Sequence, residues 1–294
     1  MILSVGELLA DMIGEADGDS LRFQAFCGGA PFNLAVNARQ AGAKVGFLGR
    51  VGCDPVGKFL IGFAQKAGLD QLIIQQDEVR NTTLAFVTLS EGERDFAFYR
   101  HDTADFHIDA EQVDFGAFED LKIVHLGSLM LSEPCGRELA DIIVQKTQKA
   151  GALLSFDVNF RKDIFGSFDS ARAAYLPYVK RADILKFSED ELYEFTGISD
   201  MGRAVASLEK KNSLVVVTLG KRGCAYFYGD MCGEVPTVPA QKIVDTTGAG
   251  DSFFGTMLAH LEGKPFTKEN IERAIARGNE AGARTVGFKG AIRL

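Results

Sequence analysis

The sequence predicts an α/β protein built around a mostly parallel β-sheet. Six short apolar runs have the continuous hydrophobicity of strands buried on both faces of a sheet; they lie at 1–5, 44–49, 121–127, 152–158, 182–187 and 213–220. Helical patterns separate these runs, as at 31–42, where Pro31 takes a first-turn position and Gly42 lies near the end. Because strands and helices alternate, we expect right-handed βαβ units and parallel strands.

Two segments interrupt this alternation. Residues 19–29 and 82–100 are β-rich, and the second contains the turn-forming sequence SEGERD at 90–95. After the turn, Phe98 alternates with Ala97 and Tyr99, as in a strand with two different faces. The segments predict a small antiparallel sheet, which is either a lid over a site or an ordinary edge hairpin. The chain contains no internal repeat or long linker, so a second domain would have to be an insertion.

Size and charge restrict the function. The chain has 294 residues, 46% apolar and 24% charged, and no apolar run approaches the roughly 20 residues of a membrane span. Its start lacks the basic region of a signal peptide, so we expect a cytoplasmic protein. The formal charge of −8, without a basic block, argues against nucleic acid as a partner. We expect a small-molecule partner, and neither nucleic acid nor membrane.

The cysteines and histidines do not indicate a metal site. The cysteines are odd in number and lack a C-x-x-C pair, which argues against both a disulfide scaffold and zinc; they are Cys27, Cys53, Cys135, Cys224 and Cys232. We expect reduced, buried thiols. The four histidines show no metal-ligand spacing, and none is assigned a catalytic role.

A glycine-rich stretch, DTTGAGD at 245–251, precedes an apolar helical pattern. Gly248 and Gly250 allow a sharp turn at a helix N-terminus, which is a ready site for an anion. Asp251 falls in the first turn of that helix, where the helix dipole stabilises a carboxylate without any catalytic duty. A carboxylate beside a phosphate is expected where it must accept the proton of an attacking hydroxyl, as in kinases. Capping and catalysis are therefore both open at this stretch.

A second glycine cluster, CGGAPFNLA at 27–35, also precedes a helix. Gly28 and Gly29 allow a polar ligand to approach the backbone, and Asn33 offers both hydrogen-bond donors and acceptors. The alternative is a plain turn in which Pro31 opens the helix. Neither cluster is a Walker A loop, and no G-x-G-x-x-G motif follows the first strand.

Together and in this order, the motifs resemble those of the ribokinase-like (PfkB) carbohydrate kinases. The matching stretches are GGAPFN at 28–33, GRVGCDPVG at 49–57 and DTTGAGDSFFG at 245–255, and further matches fall at 156–161, 186–191, 217–223 and 278–292. The resemblance covers essentially the whole chain. Within the family, 92–105 and 127–135 are most similar to fructokinases.

The resemblance implies a single domain over 1–294. Its fold would be a ribokinase-like three-layer α/β/α core with a mostly parallel sheet, plus a small β-sheet lid formed from about 12–28 and 80–105. Lid-to-lid homodimers are frequent in the family. The implied activity is that of an ATP-dependent sugar kinase, with fructose as the substrate and fructose 6-phosphate as the product.

The resemblance also implies roles for individual residues. Asp251 is the base, and the backbone amides of Gly248, Ala249, Gly250 and Asp251 form an anion hole. The sugar positions are Asp11, Gly28, Gly29, Asn33, Phe98 and Arg161; from the residues alone, Asp11 is equally an exposed loop aspartate and Arg161 a surface arginine. The nucleotide positions are Lys186, Thr218, Gly220, Gly223 and Asn279, which are otherwise plain strand and turn residues.

Two metal sites are implied in the same way. Glu191 corresponds to the glutamate of the family's N-x-x-E element, which holds hydrated Mg²⁺, although Ser188 stands here in place of the asparagine. Asp245 and Thr247, with carbonyls near Ala283 and Gly290, correspond to a monovalent-cation site for K⁺.

Two alternatives to fructokinase remain open. A 2-keto-3-deoxygluconate kinase, or another PfkB sugar kinase, would share this framework, and an acidic substrate would require Arg100 or Arg161 at its carboxylate. A catalytically silent sugar or nucleotide sensor would keep the fold without turnover, and the intact GAGD sequence at 248–251 argues against it.

Overall fold

The computed structural model describes residues 1–17, 19–90 and 93–294. Within these ranges the strands are β1 Ile2–Val5, β2 Leu9–Asp17, β3 Ser20–Gly28, β4 Val45–Gly52, β5 Gln71–Asp77, β6 Leu84–Ser90, β7 Glu93–Tyr99, β8 Ile123–Leu126, β9 Leu153–Asp157, β10 Ile184–Ser188, β11 Leu214–Thr218, β12 Cys224–Tyr228 and β13 Met231–Val235. The α-helices are α1 Ala30–Gln40, α2 Pro55–Lys66, α3 Pro134–Lys149, α4 Lys162–Phe165, α5 Phe168–Arg181, α6 Glu189–Thr196, α7 Met201–Ser207, α8 Ala249–Leu261 and α9 Lys268–Thr285.

The main sheet confirms the predicted α/β class. In the described residues its order is β13-β12-β11-β10-β9-β8-β1-β4-β5. All six predicted strands lie in it, and they pair in parallel with their neighbours. The additional strand β5 extends the parallel part beyond β4, and β12 and β13 add an antiparallel edge beyond β11.

Helices cover both faces of the main sheet. Successive residues of β11 belong to two separate cores: Val215 and Val217 to one, Leu214 and Val216 to the other. Helices α3, α5 and α6 contribute to the first core, and α1, α8 and α9 contribute to the second. Burial on both faces explains why these strands are continuously apolar, and the three layers match the expected ribokinase-like core.

A second, four-stranded sheet has the order β3-β2-β6-β7 in the described residues. It is antiparallel within each pair β2–β3 and β6–β7, as predicted, but β2 and β6 run parallel where the two pairs join. The β-rich pattern at 19–29 did not include β2, but residues 12–17 of this strand fall within the lid range of about 12–28 that the family resemblance implied. Residue 18 of the predicted lid and residues 91–92 of its turn lie outside the described residues.

The cysteines are free thiols, as expected, but they are not all buried. Cys27 and Cys224 are buried, whereas Cys53 and Cys232 are exposed, so the expectation of burial was wrong for these two. Cys53 follows β4 in a surface turn and Cys232 lies on the edge strand β13, where side chains alternate between the two faces. Among the described residues, no helix is both long and apolar enough to cross a membrane. The cytoplasmic location stays a prediction.

Candidate active site

The predicted glycine-rich turn forms the start of α8. Gly248 is the residue before the helix and has a left-handed backbone (φ 73°), which glycine adopts without strain. A Cβ atom at this position would lie 2.4 Å from the Cβ of Ala291, so a side chain would also clash. No side chain caps this helix. The Ala249 amide donates to the carbonyl oxygen of Thr246 at 3.3 Å, and the next amides of α8, those of Gly250 and Asp251, are available to an anion.

Asp251 lies in the first turn of α8 and is held there by α1. The side-chain amide of Asn33 donates a 2.8 Å hydrogen bond to its Oδ2. The two helices pack closely because Gly255 has no side chain; a Cβ there would lie 2.4 Å from the carbonyl oxygen of Leu34. The two glycine clusters of the sequence, 218 residues apart, thus meet in one site.

The environment of Asp251 favours a carboxyl group that binds protons more tightly than usual. Burial raises its pKa above the ordinary range, whereas the Asn33 hydrogen bond and the positive charges of Lys186 and Arg161 act in the opposite direction. A carboxylate with a raised pKa is a stronger base than an exposed aspartate, which suits proton abstraction from a hydroxyl.

A cavity of about 490 Å³ opens beside Asp251. The predicted sugar positions on its wall are Asp11, Gly29, Asn33, Phe98 and Arg161, and the glycine turn contributes Thr246, Thr247, Gly248 and Gly250. Gly28 lies behind Asp11, since a Cβ on Gly28 would approach the Asp11 carboxylate to 2.3 Å. The structure therefore brings the predicted sugar residues and the predicted base together.

Asp11 is a second carboxyl group with unusual protonation in this cavity. Burial raises its pKa to about 7, the negative charge of Asp251 adds to this, and Arg161 opposes it. Arg161 precedes the short helix α4 and, within the described part of the chain, forms no salt bridge. It provides positive charge to the cavity, opposite the two aspartates.

Lys186, which was predicted to contact the nucleotide, lines the first cavity, and its role toward the nucleotide stays a prediction. It lies on β10, and its Nζ is 2.8 Å from both oxygens of Asp157 on β9. Burial alone would lower the pKa of Lys186, but the carboxylates of Asp157, Glu191 and Asp251 raise it, so the side chain is a cation. A Cβ on Gly250 would be 3.6 Å from Nζ, which places this charge against the glycine turn.

A second cavity, of about 580 Å³, holds the other predicted nucleotide residues. Its wall includes Thr218, Gly220, Gly223, Ala249 and Asn279, together with apolar side chains such as Val238, Phe253 and Val286. The amide of Asn279 donates to the carbonyl oxygens of Val235 (3.0 Å) and Pro236 (3.2 Å), which fixes the chain after β13. The two cavities share Thr246 and Gly250, so they meet at the turn before Asp251.

The predicted metal residues have structural contacts in the described chain. Glu191 forms a capping box at α6: its Oε2 accepts from the Ser188 amide at 2.7 Å, and its Oε1 accepts from the Phe160 amide at 2.8 Å. It lines neither cavity. Among the described residues no group of three or more His, Cys, Asp or Glu side chains is arranged to hold a metal ion. The contact of Glu191 with hydrated Mg²⁺ stays a prediction.

Asp245 organises the start of the glycine turn. Its carboxylate accepts hydrogen bonds from the Thr247 amide (2.9 Å), the Thr247 hydroxyl (2.7 Å) and the Gly290 amide (3.0 Å). The side chain is buried, and these contacts join the turn to the C-terminal segment. A monovalent cation at Asp245 and Thr247 stays a prediction.

Sequence reasoning missed three acidic residues of the first cavity, Glu7, Asp157 and Asp163. Glu7 follows β1 and Asp157 ends β9, at the edge of the sheet where the carboxyl ends of parallel strands meet. That position was the available signal. Arg100 was a candidate for binding an acidic substrate, but this was wrong: it is buried in an ion pair with Asp105 and lies outside the cavity. Arg161 alone of the two candidates faces the cavity.

The chain belongs to the pfkB family of carbohydrate kinases, whose family description matches residues 1–294. Among curated relatives, it is similar to probable fructokinase-3 of Arabidopsis thaliana, with 37% identity over 303 residues, covering 99% of this chain and 87% of the relative. It is also 36% identical over 303 residues to fructokinase-1 of Oryza sativa subsp. japonica, covering 99% of this chain and 93% of the relative.

The chain is also similar to solved structures of fructokinases over nearly its whole length. A fructokinase with bound ATP from Xylella fastidiosa superposes with a TM-score of 0.90 at 30% identity, covering 99% of this chain and 93% of that one. A fructokinase from Vibrio cholerae O395, bound to fructose, ADP and calcium, superposes with a TM-score of 0.87 at 29% identity, covering 99% and 94%. The ribokinase-like fold expected from the sequence is confirmed.

Proposed function

We propose that this protein is a fructokinase, which transfers the γ-phosphoryl group of ATP to the 6-hydroxyl of D-fructose and forms fructose 6-phosphate. The observation that carries the proposal is the junction of the two cavities at Thr246 and Gly250, directly beside Asp251. A donor in one cavity and an acceptor in the other meet at a helix N-terminus and a carboxylate. Phosphoryl transfer requires a donor and an acceptor held next to each other, with groups nearby that stabilise the transferred charge.

Asp251 accepts the proton of the attacking hydroxyl in the proposed reaction. Asn33 holds its Oδ2 and leaves Oδ1 for the sugar. The proton moves from the hydroxyl to the carboxylate as the oxygen bonds to phosphorus and the bond to the departing ADP oxygen breaks. The amides of Gly248, Ala249, Gly250 and Asp251 at the start of α8, with the Lys186 cation, stabilise the negative charge on the transferred group.

The sugar occupies the first cavity. Asp11 accepts hydrogen bonds from hydroxyl groups, Gly28 and Gly29 allow the sugar to approach the backbone, and Phe98 provides an apolar wall. Arg161 donates to sugar oxygens or to the transferred phosphoryl group, since its planar guanidinium suits both. This assignment is supported by the position of these side chains around Asp251.

The nucleotide occupies the second cavity. Its apolar wall at Val238, Phe253 and Val286 suits the adenine ring, whose pocket also includes Asn279, and Thr218, Gly220 and Gly223 surround the ribose and phosphates. Mg²⁺ bound to the nucleotide would neutralise phosphate charge, and in this proposal Glu191 would contact its water shell. A potassium ion at Asp245 and Thr247 is proposed from the same family resemblance; one Vibrio cholerae fructokinase structure contains fructose, ADP and potassium.

We propose that residues 1–294 act as one domain with the small sheet as a lid. Three of its strands contribute to the sugar cavity, through Asp11 on β2, Ala85 on β6 and Phe98 on β7. The sheet also exposes apolar side chains, with Leu21 at 53% and Tyr99 at 65% exposure. An exposed apolar face is a typical interface, and we propose that two lids pack together in a homodimer.

A 2-keto-3-deoxygluconate kinase is the second candidate, because Arg161 places a cation in the sugar cavity that a carboxylate substrate would use. A coupled ADP-release assay with fructose, 2-keto-3-deoxygluconate, ribose, tagatose and nucleosides distinguishes the two. We expect the highest kcat/KM with fructose. A higher kcat/KM with the sugar acid would favour the second candidate, and sugar binding without turnover of any substrate would indicate a sensor.

A further inference from the structure

Glu7 is a buried carboxyl group on the wall of the sugar cavity, in the loop between β1 and β2. Its residue is 1% exposed. Oε1 accepts a hydrogen bond of 3.2 Å from the amide of Ala30, the first residue of α1. Oε2 is inaccessible to solvent and has no hydrogen-bond partner within the described residues. Within the described residues, one oxygen of this carboxyl group therefore accepts a hydrogen bond and the other has no hydrogen-bond partner.

The charged groups around Glu7 do not pair with it directly. Arg100, from the loop after β7, is close enough to affect it electrostatically, but its guanidinium is bonded to Asp105 and to the carbonyl oxygen of Leu129. Asp105 and Asp251 add negative charge from two other elements. An ionised carboxylate with one buried oxygen unpaired is costly, whereas a neutral acid costs much less. Burial accordingly raises the pKa of Glu7 to about 7.

Glu7 connects to the proposed base through the first turn of α1. The main chain of Glu7 packs tightly on Gly29, where a Cβ would lie 2.3 Å from the Glu7 carbonyl oxygen. Gly29 accepts the amide hydrogen of Asn33 at 2.8 Å, and the side chain of Asn33 holds Asp251. The start of α1 thus lies between Glu7 on one side and Asp251 on the other.

We propose that Glu7 is a positioning residue that acts in its uncharged form: it fixes the first turn of α1, and through Asn33 it fixes Asp251. The inference rests on the proposed kinase function for its kinetic consequences. Ionisation of Glu7 adds an unpaired negative charge beside this turn and near Asp251. The turnover of the wild-type protein then falls as the pH rises through about 7 to 8, because the uncharged form is lost.

The substitutions Glu7→Gln and Glu7→Ala separate the uncharged contact from the charge. Glutamine keeps an oxygen for the Ala30 amide and carries no charge at any pH, whereas alanine removes the contact. Glu119→Gln is the matched control, because Glu119 is an exposed carboxyl group outside both cavities. We expect Glu7→Gln to keep kcat within about threefold and Glu7→Ala to lower kcat about tenfold or more, with little change in KM for ATP.

Two pH series complete the test. The kcat of Glu7→Gln should decline less above pH 7 than that of the wild-type protein. Its midpoint of denaturant unfolding should also fall less between pH 5 and pH 8, because a folded-state pKa above the unfolded value makes the wild-type fold lose stability over that range. The Glu119→Gln control should follow the wild-type protein in both series.

Three results would overturn the proposal. These are a Glu7→Gln variant as impaired as Glu7→Ala, a Glu7→Ala variant with wild-type kcat, and identical pH series for wild type and Glu7→Gln. If Glu7→Ala fails to fold, the glutamine variant and its pH series still decide. If the wild-type protein phosphorylates no sugar, the proposed function fails by itself, and the unfolding series still tests whether Glu7 is uncharged in the folded protein.

Discussion

The side-chain amide of Asn33 and the carboxylate of Asp251 form a 2.8 Å hydrogen bond between the first turns of α1 and α8. Each helix follows a glycine with positive φ, Gly29 and Gly248 respectively. The bond therefore joins the sugar-side turn to the phosphate-side turn. Because it stabilises the ionised carboxylate, it lowers the pKa of Asp251 against the larger, opposing effect of burial.

Removal of this bond should shift the pH dependence of the reaction. In Asn33→Ala the pKa of Asp251 rises further, so the acidic limb of the kcat/KM profile should move to higher pH. The variant should therefore lose a larger fraction of the wild-type activity at pH 6 than at pH 8. Asn37→Ala is the control, since Asn37 lies one turn later and contacts Ser252 rather than Asp251. An acidic limb that stays in place in Asn33→Ala would show that the bond does not tune the base.

A side chain at Gly248 should lower the free energy of unfolding by more than the strain of its left-handed backbone alone. Gly248→Ala combines a left-handed φ with a clash on Ala291. Gly263→Ala is a matched control, because Gly263 has a similar φ of 67° and a Cβ there would meet nothing within 4 Å. We expect a loss of about 1–2 kcal/mol in the free energy of unfolding for Gly263→Ala, and about 1–3 kcal/mol more for Gly248→Ala. Denaturant unfolding measures both, and equal losses would contradict the predicted clash.

The carboxyl group of Asp11 should lower stability at neutral and alkaline pH. Its folded-state pKa of about 7 exceeds its unfolded value of 3.8, so the folded state binds the proton more tightly and loses stability as the pH rises through this interval. The difference in unfolding free energy between Asp11→Asn and the wild-type protein should therefore be about 1–3 kcal/mol more favourable to the variant at pH 8 than at pH 4. The same variant should raise KM for the sugar. Glu15→Gln, an exposed position on the same strand, should do neither, and an unchanged pH dependence in Asp11→Asn would refute the assignment.

The exposed aromatic cluster of the small sheet should hold the proposed dimer together. Phe86 packs edge to face against Phe23 and Tyr99, with ring centroids 4.8 Å and 4.9 Å apart. A charge at Phe23, in Phe23→Glu, should convert a dimer to a monomer in analytical ultracentrifugation, because the charge would have to be buried in the interface. Phe59→Glu on α2 is the control at 41% exposure. A wild-type monomer, or a dimer that survives Phe23→Glu, would contradict the lid interface.

The central strands could be predicted because their chemistry is local. Strands such as 182–187 and 213–220 are buried on both faces and are therefore continuously apolar. Two strands that the hydrophobic patterns did not predict are the edge strand β5 (QLIIQQD) and the inner strand β2 of the small sheet (LADMIGEAD), and each mixes apolar and polar residues. An edge or half-exposed strand needs no continuous apolar run, so its sequence resembles a loop.

Site residues that belong to a sequence motif could be predicted, whereas residues that join the site only because the fold buries them there could not. The glycine turns were identified because backbone freedom at positions such as Gly29 and Gly248 leaves a sequence signal, and the role of Asp251 was inferred from the family resemblance. Glu7 and Asp157 were missed because their position at the carboxyl ends of strands, which was the available signal, does not distinguish a buried carboxyl group beside a cavity from an exposed loop residue. The ion pair of Lys186 with Asp157 could not be predicted either, because it depends on the register of two neighbouring strands.

The most direct test of the proposed reaction is the rate of fructose 6-phosphate formation from ATP and fructose by the wild-type protein and by Asp251→Asn. Asparagine keeps the size of the side chain but cannot accept the proton as a carboxylate does. We expect kcat to fall by about 10²–10⁴-fold, while fructose binding and the unfolding midpoint are retained and Asp169→Asn, at an exposed position in α5, behaves as wild type. Fructose phosphorylation that continues undiminished in Asp251→Asn would contradict the assignment of Asp251 as the base.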